Sequence, residues 1–309
     1  MKHLVTALAL LLAPAAAQAQ RVESAFNGAD PFALAAGGRT WVYPTDTGRG
    51  GKLFAWSSAD RVHWTRADAP LIELKHIPWI ADDGASVHLL WAPHVIAARG
   101  KVYLYYSVGP QNPTPSRIGV AICAALAGPC VDSGKPLVND GGKGFEAIDP
   151  AVFVDPKSKL AYLYAGGSAG STLRVWVLKP DLVSIDHEVP VAQPPRFTEG
   201  VFMHERRGVY YLSYSVGRWN TSGYQVHYAT SRSPTGPWRY RGAILQGDAT
   251  IKGPGHHSFF RDSRDGQWYI AYHRWEGKDG DGPYQGQRRV AIQKLRYRAD
   301  GTIVPVKVD

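Results

Sequence analysis

Residues 197–215, FTEGVFMHERRGVYYLSYS, place two apolar runs on either side of a charged turn and set one carboxylate, Glu199, at the mouth of the first run. Short β-prone runs that flank a Gly-containing turn read as an antiparallel hairpin. The second arm has four relatives along the chain: GRTWVYPT (38–45), GKVYLYYS (100–107), SKLAYLYAG (158–166) and GQWYIAYH (266–273). Each joins a Gly- or Lys-containing turn to a short strand dense in aromatics. The first arms are related too: DPFALAA from Asp30, WAPHVIAA from Trp91, IDPAVFVD from Ile148, TEGVFMHE from Thr198 and GHHSFFRD from Gly255.

A third strand and a further turn follow in most copies, at SSADRVHWT (57–65), CAALAGPCVD (123–132), LKPDLVSID (178–186) and TSRSPTGPWRY (230–240), with a fourth strand expected after each. The last copy takes its third strand from RRVAIQKLRYRADGTIVPV, which starts at Arg288 and runs on toward the C-terminus. Five copies of about four antiparallel strands predict an all-β, five-bladed propeller in a single domain, within the usual range of about four to eight blades. No segment has a convincing amphipathic helical pattern. A β-sandwich would not repeat a polar residue at one place in every copy.

In a propeller the innermost strands line the axis, so equivalent positions on five first strands converge at one end. The expected set is Asp30, His94, Asp149, Glu199 and His256, with sequence separations of 64, 55, 50 and 57 residues. Histidines with carboxylates can ligate a transition metal, but no close pair such as HxH or HExxH fixes such a site. Three carboxylates in one funnel fit glycoside hydrolysis better: a protonated acid donates to the leaving oxygen, and an opposing carboxylate activates water about 6.5–9.5 Å away. A third carboxylate keeps the acid protonated by like-charge repulsion. Taken singly, Asp30 and Asp149 precede proline and could be turn starters.

The chain has 309 residues, 44% apolar and 20% charged, as in a globular protein. MKHLVTALALLLAPAAAQAQ has a basic start, an apolar run too short to span a bilayer, and a small-residue Ala17-Gln18-Ala19 site. Residues 1–19 are therefore expected to be a signal peptide, and residues 20–309 the exported catalytic propeller, periplasmic or extracellular. Export permits a bridge between the two cysteines, Cys123 and Cys130. The net charge of +9 is spread along the chain without a nucleic-acid-reading motif, which leaves a surface weakly attractive to acidic polysaccharide. No membrane span and no nucleic-acid partner are expected, and oligomeric state is not legible.

ADP at Asp30, WAPHV at Trp91, IDPAVF at Ile148, TEGVF at Thr198, GPGHHSFF at Gly253 and RRVAIQKL at Arg288 together resemble glycoside hydrolase family 43 in its single-domain form, from Asp30 to about Val304. The resemblance implies a five-bladed propeller that hydrolyses glycosides with inversion. Asp30 would be the general base, Glu199 the general acid, and Asp149 the residue that raises the acid's pKa and orients it. His256 matches the family's axial histidine, which in many members helps hold a calcium or other ion, with His257 as its rival. Any such ion would be structural or electrostatic, and no organic cofactor is implied. Arg288 matches an arginine that contacts sugar hydroxyls, with Arg289 as the alternative. Many members have aspartate where His94 follows WAP. Trp91, Trp219 and Phe32 are candidate sugar platforms beside the funnel, and His94 and Arg288 complete the expected substrate-binding set. The substrate implied is an oligosaccharide or polysaccharide, with α-L-arabinofuranosides preferred over β-xylosides; a sugar-binding propeller without catalysis is the reading from another class.

Overall fold

The computed structural model of the chain describes residues 24–46, 51–142, 144–168 and 170–308. The signal expected over residues 1–19 lies outside them. The described residues form five four-stranded antiparallel sheets and a small two-stranded ribbon. Blade 1 contains Ala29–Ala36, Arg39–Thr45, Trp56–Ser58 and Thr65–Arg66. Blade 2 contains Leu90–Ala98, Lys101–Val108, Arg117–Cys123 and Cys130–Asp132. Blade 3 runs through Ala151–Val154, Ala161–Ala165, Arg174–Leu178 and Ile185–Val189, and blade 4 through Glu199–Arg206, Val209–Val216, Gln225–Ser231 and Arg239–Leu245. The first strands of neighbouring blades touch in a closed ring around the axis, as the repeat predicts.

Blade 5 is assembled from both ends of the chain. Ile251–Arg261, Trp268–Glu276 and Arg289–Leu295 supply three strands, and the fourth is the two-residue strand Phe26–Asn27, paired with Val290 and Arg289. The stretch after the last repeat runs elsewhere: Val306 pairs in parallel with Leu245 on the outer edge of blade 4, and its amide donates to Ile244 O at 2.7 Å.

The aromatic second strands are apolar on both faces because both are buried. Along Lys101–Val108, Leu104 and Tyr106 pack toward blade 1 while Tyr103 and Tyr105 pack toward blade 3, the period-2 alternation of a strand. Five such clusters fill the five inter-blade spaces. Cys123 and Cys130 face each other across the outer hairpin of blade 2 and are joined by a disulfide.

Candidate active site

Each first strand enters the axis through the same backbone device. The residues at its start, Asp30, Ala92, Asp149, Gly200 and His256, have φ of 47, 46, 56, 62 and 41°, all in the left-handed region. The register slips at that point in blades 1, 2, 4 and 5, the signature of a bulge. A bulge turns its amide away from the ladder, and that amide needs a partner. In four blades the preceding blade provides it with a side chain from its second strand: Ala92 N donates to Thr45 Oγ1 (2.7 Å), Asp149 N to Ser107 Oγ (2.9 Å), His256 N to Ser215 Oγ (2.8 Å) and Asp30 N to His273 Nδ1 (3.1 Å). Blade 3 has Gly166 at that place, bonded through its amide to Ile148 O, and offers no side chain. There the carboxylate of Asp149 takes over, accepting from Gly200 N at 3.0 Å.

The bulge also corrects the expected set. His94 lies two residues past the bulge of its blade, in register with Phe32 of blade 1 and Phe202 of blade 4, whereas Glu199 lies one residue before its own. Motif counting treated these as one position, and the extra bulge residue shifts the count. Phe32 and His94, expected at the sugar, instead plug the channel beneath the carboxylates. Their rings are 4.1 Å apart, each 6.4 Å from Phe202, and His94 Nε2 is bonded to Val152 O. Burial keeps His94 neutral, its pKa pushed down to about 3.

Above this plug lies a pocket of ≈ 320 Å³ lined by Asp30, Asp149, Glu199, His256, Trp91, Trp219 and Arg288, together with Leu89, Gln111, Ile148 and Ser168. The three carboxylates are buried, each less than one-tenth exposed. Asp30 Oδ1 accepts from Arg288 at 2.8 Å and stands 3.3 Å from His256 Nδ1. Burial opposes its charge, but Arg288 and His256 more than offset this and hold Asp30 well below the usual carboxylate range. Asp149 is pushed the other way, up to about 7, by burial, against the pull of His256 and with the repulsion of Glu199 and Asp30. Glu199 is braced on both oxygens: Ser168 Oγ donates to Oε2 at 2.6 Å and Tyr224 OH to Oε1 at 2.8 Å. Gly167 makes this possible, since a Cβ there would lie 2.4 Å from that of Glu199.

Trp219 is 40% exposed and carries the Arg288 guanidinium 4.7 Å from its ring centroid. Arg289, on the opposite face of the strand, bonds Asn27 of the closing strand at 2.9 Å and does not line the pocket. His257 is buried and turned to Ser213 Oγ at 2.6 Å, so His256 is the histidine that faces the carboxylates. Tyr224 and Ser168 carried no sequence signal. Tyr224 is one more aromatic in an aromatic-rich chain, and Ser168 sits in a Gly-rich loop that has no counterpart in the other repeats.

A model of glycosyl hydrolases family 43 matches residues 22–303. The chain belongs to that family. Among its family relatives, a β-D-galactofuranosidase of Aspergillus niger is 34% identical over 298 residues, which cover 91% of this chain and 82% of that one. An arabinoxylan arabinofuranohydrolase of Bacillus subtilis is 31% identical over 90% of this chain, which spans 62% of the relative's length. The solved family 43 β-xylosidase/α-arabinofuranosidase from a compost microbial metagenome, in a calcium-free form with xylotriose, aligns with a TM-score of 0.73 at 26% identity, covering 94% of this chain and 98% of that one.

The family's axial ion can be tested against the donors present. A hard cation such as calcium takes about six to eight oxygen ligands. The small chamber at the axis is lined by Asp30, Asp149, His94, His256, His257 and Ser258 among proline, phenylalanine, alanine and valine; Asp30 is paired with Arg288, Asp149 accepts from Gly200 N, and the hydroxyl of Ser258 is engaged with Pro31 O and Ala33 N. No group of three or more His, Cys, Asp or Glu suited to a metal converges among the described residues. Two carboxylates already engaged fall short of the oxygens a directly ligated calcium takes, so an ion here would be held mainly through water, and no step below is routed through one.

Proposed function

We propose that the protein is an exported, inverting exo-glycosidase that removes α-L-arabinofuranosyl groups from arabinan or arabinoxylan fragments. The observation that carries the reading is the contrast between two carboxylates lining one pocket: Asp30, paired with Arg288, is held ionised, whereas Asp149, buried and repelled by Glu199 and Asp30, retains a proton to about pH 7. An ionised carboxylate beside a carboxyl that holds a proton suits single displacement. Asp30 takes a proton from water as the water oxygen bonds to the anomeric carbon. Glu199 gives its proton to the glycosidic oxygen as that bond breaks, and the product leaves with inverted configuration. Asp149 positions Glu199 through the Gly200 amide. Arg288, Trp219 and Trp91 hold the sugar, with the Phe32–His94 plug as the floor of the site.

Arabinofuranose is preferred over xylose because the two relatives described above at more than 30% identity are named for furanosides. α-L-Arabinofuranose and β-D-galactofuranose share their ring configuration, so one pocket shape serves both families of substrate. The β-xylosidase alternative is favoured by the relatives named as xylosidases, and comparing aryl α-L-arabinofuranoside with aryl β-D-xyloside hydrolysis decides between them. Export rests on the N-terminal sequence and on a relative named as extracellular. The assignment is tested by Glu199→Ala, which should reduce turnover of natural arabinosides by about 10²–10⁴-fold while ligand binding stays measurable. Unchanged hydrolysis would remove Glu199 from the mechanism, and a retained anomer in proton NMR would remove Asp30 as base.

A further inference from the structure

Some arginines of this chain are held by carboxylates and others are not. Arg61, Arg117, Arg174, Arg264 and Arg288 are each ion-paired with a carboxylate. Among those with no salt bridge in the described residues, Arg206, Arg232, Arg239, Arg241 and Arg298 gather at one place on the molecule. Arg232, Arg239 and Arg241 line a cleft of ≈ 540 Å³ between the outer part of blade 4 and the turn that contains Asp300. Arg298 reaches its rim by bonding Thr302, and Arg206 lies over Tyr297, which packs on Tyr211 in the cleft wall.

The sequence alternation builds the patch. In Arg239–Leu245, Arg239 and Arg241 share one face, and Tyr240 turns to the other, bonded to His227. Arg241 Nε is fixed by Thr230 Oγ1 at 2.9 Å and Arg232 is tied to Gly208 O at 3.2 Å, so the guanidiniums keep donors free for a ligand. Between them stand the hydroxyl side chains of Thr230, Ser231, Ser233 and Thr302. Asp300 is the single acid in the lining, with its Oδ1 taken by Thr302.

We propose that this cleft is a second saccharide site, for polysaccharide that carries uronic-acid carboxylates. Guanidinium forks match carboxylates, and the interspersed hydroxyls match sugar hydroxyls. The volume lies within the roughly 300–1,000 Å³ typical of ligand sites. It is a concavity rather than the long basic stripe that follows a nucleic-acid backbone. The cleft also sits at the opposite end of blade 4 from the pocket: Glu199 pairs with Ser215, and the cleft residue Val209 pairs with Arg206, so about 20 Å of strand separate them. A chain held there leaves the pocket open. The proposal rests on the exported-glycosidase reading, since it places the enzyme on a matrix where arabinosyl side chains and uronic acids occur together.

The test is affinity electrophoresis in gels containing polygalacturonate, with neutral dextran and double-stranded DNA in parallel, alongside hydrolysis of aryl α-L-arabinofuranoside. Polygalacturonate should retard the protein at low salt and less at high salt. The double variant Arg239→Ser, Arg241→Ser should bind about tenfold more weakly, as expected for the loss of two exposed charge contacts, with aryl-glycoside hydrolysis unchanged. Absence of retardation at low salt, or equal retardation of the double variant, overturns the site. Retention on DNA as strong as on polygalacturonate overturns its assignment to saccharide. A wild-type protein that fails to hydrolyse the aryl glycoside overturns the functional reading alone, and the gel still decides the cleft.

Discussion

Blades 1 and 3 begin alike. Both open with Asp-Pro, both aspartates adopt a left-handed φ, both are buried, and both amides are received by a side chain of the preceding blade. Their carboxyls nevertheless end at opposite ends of the acidity range. Asp30 has a guanidinium at 2.8 Å and is held ionised, while burial, with repulsion from Glu199 and Asp30, lets Asp149 keep its proton to about pH 7. The repeat therefore sets where a carboxyl stands, and residues contributed by other blades set what it does. Arg288 lies before the third strand of blade 5, and Glu199 comes from blade 4.

The largest expected effect breaks the charged member of this pair. Asp30→Asn should lower kcat by about 10²–10⁴-fold by removing the base, and should also destabilise the fold at pH 7, because Arg288 loses its buried partner. Asp30 has a lowered folded-state pKa, so its contribution to stability is present above its unfolded value near 3.8 and is lost only as pH falls through the lowered one. Thermal melts of wild type and variant should converge at strongly acid pH.

Asp149→Asn should act with the opposite sign on stability. An acid whose pKa rises from 3.8 to about 7 on folding costs stability progressively as pH rises across that interval. The asparagine variant keeps an acceptor for the Gly200 amide and escapes that cost. It should be more stable than wild type by on the order of 4 kcal/mol at most at pH 8, with a gain that vanishes near pH 4. A Tm lower than wild type at pH 8 would show that the proton does not reside on this residue.

The smallest effect concerns the ring of amides. Ser107→Ala orphans the amide of Asp149 and should cost about 1–3 kcal/mol, measurable by urea unfolding. Thr45→Val orphans the equivalent amide of Ala92 in blade 2, which bears no carboxylate, and should cost a similar amount. Only the first should disturb activity as well as stability.

The propeller was legible in the sequence because its second strands are buried on both faces, so the aromatic runs repeat strongly enough to count. The acids were legible through their motifs. Counting misplaces His94 because a bulge adds a residue that no local pattern announces, Phe32 flanks the funnel but packs against His94 in the plug, and the contrast between Asp30 and Asp149 is hidden because it arises from residues far apart in sequence. The closing strand, Phe26–Asn27, is too short to have a period. The basic cleft draws on the second, third and fourth strands of blade 4 and on the turn that bears Asp300, and its arginines are too spread along the chain to stand out.

That closing strand has a consequence for how the molecule comes into being. Phe26 pairs with Val290 and stacks on Trp56 of blade 1 at 4.0 Å, so it joins the last blade to the first. During synthesis from the N-terminus Phe26 emerges early, but its strand partner appears only when nearly the whole chain has been made. Contacts so far apart in sequence close late in folding. Until then the last blade lacks its outer strand and the ring lacks its clasp, so a nascent chain holds its five bulges without yet holding the pocket they enclose.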